Sequence, residues 1–430
     1  MAINPEEISR RRAERNARRA EKNARRRKWI FRLGIAGAVL VACLVLILYL
    51  SRDNAAPEIT PETVPSVSEE SPDAAGKKPE TTVIHIAAAG DLNVTDKVVQ
   101  SGGPQYDYTN TFMDVAHLFG NADISVLNFE GNLVGAPYGS ATASAPQELM
   151  EALNRAGVDM IQLANSYSIY KGISGLEDTI NNVYAAGMEP LGVYANERAY
   201  NQGKGYTIRE VDGVKIAFVA FTKGMDGMAL PPGSENCVNL LFEDYESTYE
   251  TIDRNGITKI LEAAKKEKPD LIVALLHWGS EYKDTISYYQ KRIVSLLQEN
   301  GVNAIIGTHS HYLHQMDYDA ETGSFVAYSL GDFFGDAATA GSEYSVVLDL
   351  EVTKNNRTGE TKITGFSYTP IFTAEIEGKS KVLRIYESVD AYKQNYMDKI
   401  PDDIYADMEY ALTRIEDRIH AGAAAEEEEE

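Results

Sequence analysis

Acidic, amide and imidazole side chains gather just after short apolar runs of this 430-residue chain: Gly90-Asp91-Leu92-Asn93, Asn128-Phe129-Glu130-Gly131-Asn132, Ala164-Asn165-Ser166-Tyr167, His277-Trp278-Gly279-Ser280-Glu281 and Gly307-Thr308-His309-Ser310-His311. Of seven histidines, His277, His309, His311 and His314 fall in this series, while His85 lies within the first run and reads as core. A His-x-His pair at a strand end can present two imidazoles to one or two metal ions. Carboxylates such as Asp91 and Glu130 can bridge hard or borderline cations, and Asn165 can add an amide oxygen. Two cations about 3.5–4 Å apart would clamp a phosphoryl group and activate a water. Each residue alone has an ordinary reading, since an Asp after a strand commonly caps a turn or helix. Five such ends in order argue for one shared site.

The elements that must position these groups alternate. Residues 83–89, 124–129, 160–164, 215–222, 271–277, 304–307 and 325–330 read as strands, several of them almost continuously apolar, as in a sheet covered on both faces. Residues 109–119, 146–156, 175–186, 244–268 and 285–300 read as helices, several ending near Gly. The alternation predicts an α/β architecture, in which sites form beyond the carboxyl ends of strands. Runs at 345–352, 361–368 and 382–386 predict an antiparallel closing section, followed by a helical pair to about Ile419. The two cysteines, Cys43 and Cys237, exclude a disulfide framework and a Cys-rich zinc site.

The net charge of −23 hides an asymmetry: residues 1–52 carry +9 and the remainder −32. So acidic a body excludes a role in wrapping nucleic acid. Residues 33–50 form an uncharged apolar run that would span about 27 Å as a helix, close to a bilayer core. The basic cluster before it predicts a cytoplasmic N-terminus, a single-pass anchor in the cell membrane and an extracellular main domain. A cleaved signal peptide and a lipoprotein signal at Leu40-Val41-Ala42-Cys43 are the rival readings; the apolar run continues past Cys43, against both. The expected organisation is a basic cytoplasmic segment (1–32), a transmembrane helix (33–50), a Pro/Ser/Glu-rich stalk (51–80), a main domain (81–375), a helical C-terminal extension (376–420) and a solvated acidic tail (421–430).

The ordered motifs Gly90-Asp91, Asn128–Glu130, Leu163–Ser166, His277–Tyr282, Gly307–His311 and Tyr328–Phe333 resemble the CapA family of capsule-synthesis, poly-γ-glutamate proteins, which share the calcineurin-like metallophosphoesterase fold. The resemblance covers residues 83–334 and implies a layered αββα sandwich. It implies Asp91, Glu130, Asn165, His277, His309 and His311 as metal ligands for Mn, Fe, Zn or Mg. It also implies Asp91, Glu130, Asn165, His277 and Glu281 as the residues of any catalysis, with Glu281 orienting His277.

Departures accompany the resemblance. Tyr167 stands where the family has a His, Tyr170 where it has an Asp, Ser310 where it has a Pro and Asp332 where it has an Asn. A tyrosine, of ordinary pKa about 10, is a poor leaving-group acid at neutral pH. The expectation is therefore a membrane-anchored protein for synthesis or export of poly-γ-glutamate or a related anionic capsule polymer. Its expected partners are the membrane, other capsule-synthesis membrane subunits and the polymer, with no nucleic acid. A metal-dependent hydrolase of phosphoesters or cell-wall amide or ester bonds, and an inert binding domain, stay open.

Overall fold

The computed structural model describes residues 79–394 and 400–421. The basic segment, the apolar run, nearly all of the stalk and the acidic tail after its first residue lie outside the described residues. Among the described residues no helix is long and apolar enough to cross a membrane.

In chain order the elements are β1 (Thr81–Asn93), α1 (Asp96–Ser101), α2 (Ala116–Asn121), β2 (Ile124–Glu130), α3 (Gln147–Ala156), β3 (Met160–Gln162), α4 (Gly172–Ala185), β4 (Glu189–Leu191), α5 (Glu197–Gly203), β5 (Tyr206–Val211), β6 (Val214–Thr222) and α6 (Arg254–Lys265). They continue as β7 (Leu271–His277), α7 (Tyr288–Glu299), β8 (Ala304–Thr308), β9 (Met316–Asp319), β10 (Ser324–Ala327), β11 (Asp332–Phe334), β12 (Tyr344–Asn355), β13 (Thr361–Ile376), β14 (Lys379–Arg384), α8 (Ile385–Lys393) and α9 (Asp402–Ile419). One sheet has the order β14-β13-β12-β1-β2-β3-β4 with β11 paired to β1; the other has the order β5-β6-β7-β8-β10-β9.

The twofold alternation of strand side chains explains the layering. Ile84, Ile86 and Ala88 of β1 face the same core as Ile216, Phe218 and Ala220 of β6 and Val273 and Leu275 of β7, so the two sheets pack face to face. The intervening Ala87 and Ala89 face Leu149, Leu153, Leu176 and Ile180 of α3 and α4. On the far side, Val219, Phe221, Ala274 and Leu276 meet Ile257 and Leu261 of α6 and Ile293 and Leu297 of α7. Helices therefore cover both outer faces of a sheet pair.

Several segments differ from expectation. Only Arg254–Lys265 of the stretch 244–268 is helical, because the Asp244 carboxylate accepts from the Glu250 and Thr251 N–H groups at 2.9 Å, a local alternative to helix; Asp253 then caps α6 by accepting from Gly256 N. Within 109–119 only the end enters a helix, α2, after Asp107 has accepted from Thr109 N in a turn. Strand β14 answers the antiparallel run expected at 382–386, pairing with β13 from Ile376 back to Ile371, so the helical part of the extension expected from 376 begins only at α8. Helix α9 then lays Met408, Ala411, Ile415 and Ile419, spaced at three and four residues, on the core between the sheets.

Candidate metal centre

Strands β1, β2 and β3 run parallel to one another in one sheet, as do β6, β7 and β8 in the other, and their carboxyl ends meet at one edge of the sandwich. Asp91 is buried near the end of β1, where its N–H bonds to Gly331 O at 2.9 Å. A Cβ on Gly90 would lie 1.7 Å from that same Gly331 oxygen, so this close approach requires glycine before the aspartate. The Asp91 carboxylate accepts from Asn128 Nδ2 at 2.6 Å and from the backbone N–H of His309 at 2.8 Å. Strand β2 and the loop after β8 thus hold it in place.

His277 ends β7 fully buried, and its two ring nitrogens have distinct jobs. The single proton of the Thr222 hydroxyl goes to Gly224 O at 2.9 Å, so Oγ1 accepts from His277 Nδ1 at 3.2 Å. That leaves a lone pair on Nε2, which faces Glu130 Oε1 at 2.6 Å. Two acceptors meet at that distance only with a proton between them. Glu130 supplies it: burial first, with Asp332, Glu281 and Asp226 adding, pushes its carboxyl up to about 8, while burial holds His277 down to about 3.

His309 follows β8 with φ +93°, and His311 with φ +59°, a left-handed backbone that side-chain-bearing residues rarely adopt and that clusters at functional sites. Both ring nitrogens of His309 are buried and lack a hydrogen-bond partner. Burial, then the charge of His277, keeps its imidazole well below the ordinary histidine value. Its ring lies 4.3 Å from that of His277. Ligand atoms of Glu130, His277 and His309 all lie within 4.8 Å of one another, as do those of Asp91, His311 and Asp332. Two neutral imidazoles with a carboxylate suit a borderline divalent cation, and the orphaned His309 nitrogens fit that use.

The second group is arranged differently. His311 Nδ1 meets Asp332 Oδ1 at 2.8 Å and lies 3.9 Å from Asp91 Oδ2. Burial alone would depress His311, but the bond and charge of Asp332, with Glu130 and Asp91, outweigh it and push the imidazole up to about 11. Asp91 is pushed up to about 7 by burial and by Glu130. At neutral pH this group is therefore an imidazolium held by carboxylates, and it must give up a proton before receiving a cation.

The structure brings Asp91, Glu130, His277, His309 and His311 into these two groups. Asn165 lies beside them: its Nδ2 donates to Phe129 O at 2.7 Å and Asn128 Oδ1 at 3.0 Å, and its Oδ1 accepts from Tyr167 N at 2.9 Å. Glu281 does not orient His277; it lies exposed past Gly279, and Thr222 holds the ring instead. His314 joins neither group and bonds to Lys283 O at 2.7 Å. Asp332 was legible only as a departure from a motif, and Thr222 carried no signal beyond its place at the end of a strand. Tyr167 sits at the rim beside Tyr170, their rings 5.8 Å apart. Burial, then Glu130, Asp226 and Glu281, pushes its phenol above its ordinary value. On the other side the ring of Tyr282, 43% exposed, stacks on His311 at 4.9 Å. Arg418 of α9 donates to Leu313 O at 3.3 Å and lies over the Tyr312 ring at 4.7 Å, tying the last helix to the loop that carries both histidines.

Residues 85–337 match the family described as "Bacterial capsule synthesis protein PGA_cap". The chain is 27% identical over 219 residues to the capsule biosynthesis protein CapA of Bacillus anthracis, a match covering 49% of this chain and 48% of that one. It is 24% identical over 294 residues to the PGA biosynthesis protein CapA of Bacillus subtilis (strain 168), covering 66% and 71%. The chain thus spans about half the length of the first relative. Among solved structures, the calcineurin-like phosphoesterase YfkN from Bacillus subtilis resembles it with a TM-score of 0.43 and 17% identity, over 77% of this chain and 99% of that chain.

Proposed function

The chain belongs to the family of bacterial capsule synthesis protein PGA_cap, and from that premise we propose that it serves synthesis or export of poly-γ-glutamate or a related anionic capsule polymer through a divalent-metal centre. The observation that carries the reading is the pair of buried ligand groups, all of whose members fall inside the matched residues 85–337. Glu130, His277 and His309 would hold one cation; Asp91, His311 and Asp332 would hold a second. A bound cation would polarise a carboxylate or phosphoryl oxygen of the polymer or its precursor. The chain's own contribution is placement. Thr222 fixes the His277 tautomer, Asn128 and the His309 N–H hold Asp91, and Tyr167 and Tyr282 border the opening.

The apolar run 33–50 and the basic cluster before it support a single-pass anchor in the cell membrane, with the metal-bearing domain outside and other membrane subunits of the capsule machinery as partners. Tyr167, with its phenol pushed up, favours a centre that binds polymer over one that hydrolyses it. The test is complementation of a capsule-deficient strain by the full chain or by its His309→Ala variant, with Mn²⁺ content and surface polymer both measured. The wild-type chain is expected to carry metal and restore polymer, and the variant neither. Equal restoration by both would overturn the reading, and Mn²⁺-dependent hydrolysis would move the assignment to a hydrolase.

A further inference from the structure

An acidic domain that handles an anionic polymer needs a local cation, and composition does not show where one would stand. The structure supplies one. Lys223 follows the end of β6, and its backbone N–H bonds to His277 O at 2.8 Å, which sets the residue against one member of the Glu130–His277–His309 group. Its partly buried Nζ donates to Gly279 O at 3.2 Å and lies 5.1 Å from the centre of the Tyr249 ring. An ammonium carries three N–H donors, and only one is spent. Among the described residues no carboxylate comes within 4.0 Å of it. The lysine charge is nevertheless felt at both His277 and His309, and the charges of Glu281, Asp226 and Glu130 are felt at Lys223 in turn. A cation withdrawn from water without an ion-pair partner is costly unless an anion completes it.

We propose that Lys223 is the anion-binding residue of this centre, taking one oxygen of a carboxylate or phosphate group presented at the mouth of the Glu130–His277–His309 group. The inference rests on the metal-centre reading for its setting and adds to it the ligand chemistry. Gly279 and Tyr249 hold the ammonium in place. The flanking Asp226 and Glu281 limit the negative charge that the slot tolerates, which suits single carboxylates spaced along a chain.

The test uses the full chain in detergent, with and without Mn²⁺, and calorimetry with two probes: a γ-linked glutamate pentapeptide and inorganic phosphate. Lys223→Met is expected to weaken at least one probe tenfold or more at unchanged Mn²⁺ content, and Lys223→Arg to stay within a few-fold of wild type. The affected probe identifies the source of the anionic oxygen. Equal binding by wild type and Lys223→Met, or no binding of either probe by wild type, would overturn the proposal. Elemental analysis of the same samples separates the two ideas. A wild-type chain that takes up no Mn²⁺ fails the metal-centre reading, whereas full Mn²⁺ with probe affinity indifferent to residue 223 fails this one.

Discussion

Glu130 and His277, 147 residues apart in the chain, meet at 2.6 Å across the carboxyl ends of two different sheets, with the imidazole already committed to one tautomer by Thr222. The proton that these two atoms share would have to leave before both could ligate a cation. Mn²⁺ uptake by this group is therefore expected to release a proton, and affinity should rise about tenfold per pH unit between pH 6 and 7.5. Calorimetry in buffers of different ionisation enthalpy measures the proton count; an affinity independent of pH would contradict the arrangement. Thr222→Val should weaken uptake by about 10–100-fold, because the ring loses the partner that sets its tautomer.

The metal-free chain should lose stability as pH rises from 6.5 to 8. Asp91 and Glu130, pushed up from 3.8 to about 7 and from 4.5 to about 8, bind more protons folded than unfolded in this range. Stability then falls as pH climbs through their folded values. His311, pushed from 6.5 up to about 11, acts in the same direction above pH 6.5. His277 and His309 act oppositely, but only below 6.5, their ordinary value. Thermal unfolding in chelator is the measurement, and a melting temperature equal or higher at pH 8 would refute the assignment.

Asp332→Asn removes the carboxylate that holds His311 as an imidazolium. The His311 pKa is expected to fall by about 1–3 pH units, read by NMR of the metal-free chain. An unmoved resonance would mean that Asp91 and Glu130 alone keep it charged.

Tyr167→His places an acid of ordinary pKa about 6.5 at the rim of the ligand groups. If the surrounding ligand groups retain phosphoesterase geometry, Mn²⁺-dependent turnover of an aryl phosphate should increase about 10²-fold over the wild-type chain. No increase would place the limit elsewhere in the site.

The five polar strand ends were legible because their residue types are unusual after apolar runs, and parallel strands whose carboxyl ends share an edge bring such residues together. Residues of ordinary type were not legible. Thr222 acts through the direction of one hydroxyl proton, and Lys223 through what its ammonium lacks. Glu281 misled because adjacency in a motif does not set direction: past Gly279, at φ +81°, the chain turns and carries its carboxylate outward. The stretch 244–268 has helical periodicity throughout, yet the Asp244 side chain captures the N–H groups of the first part. Two features of strand 325–330 were similarly hidden: it stops at Ala327, and the Tyr328 carbonyl beyond it accepts from Trp278 Nε1 at 2.9 Å.

The bond from Arg418 to Leu313 O has a consequence during synthesis. The ribosome has made every side chain of the two candidate ligand groups by the time it passes residue 332, yet the Arg418 brace on the two-histidine loop arrives 86 residues later. A clipped or prematurely ended polypeptide would keep the whole ligand set while its two-histidine loop lacked this tie, so exporting only finished chains would also guard against half-formed, promiscuous ion traps.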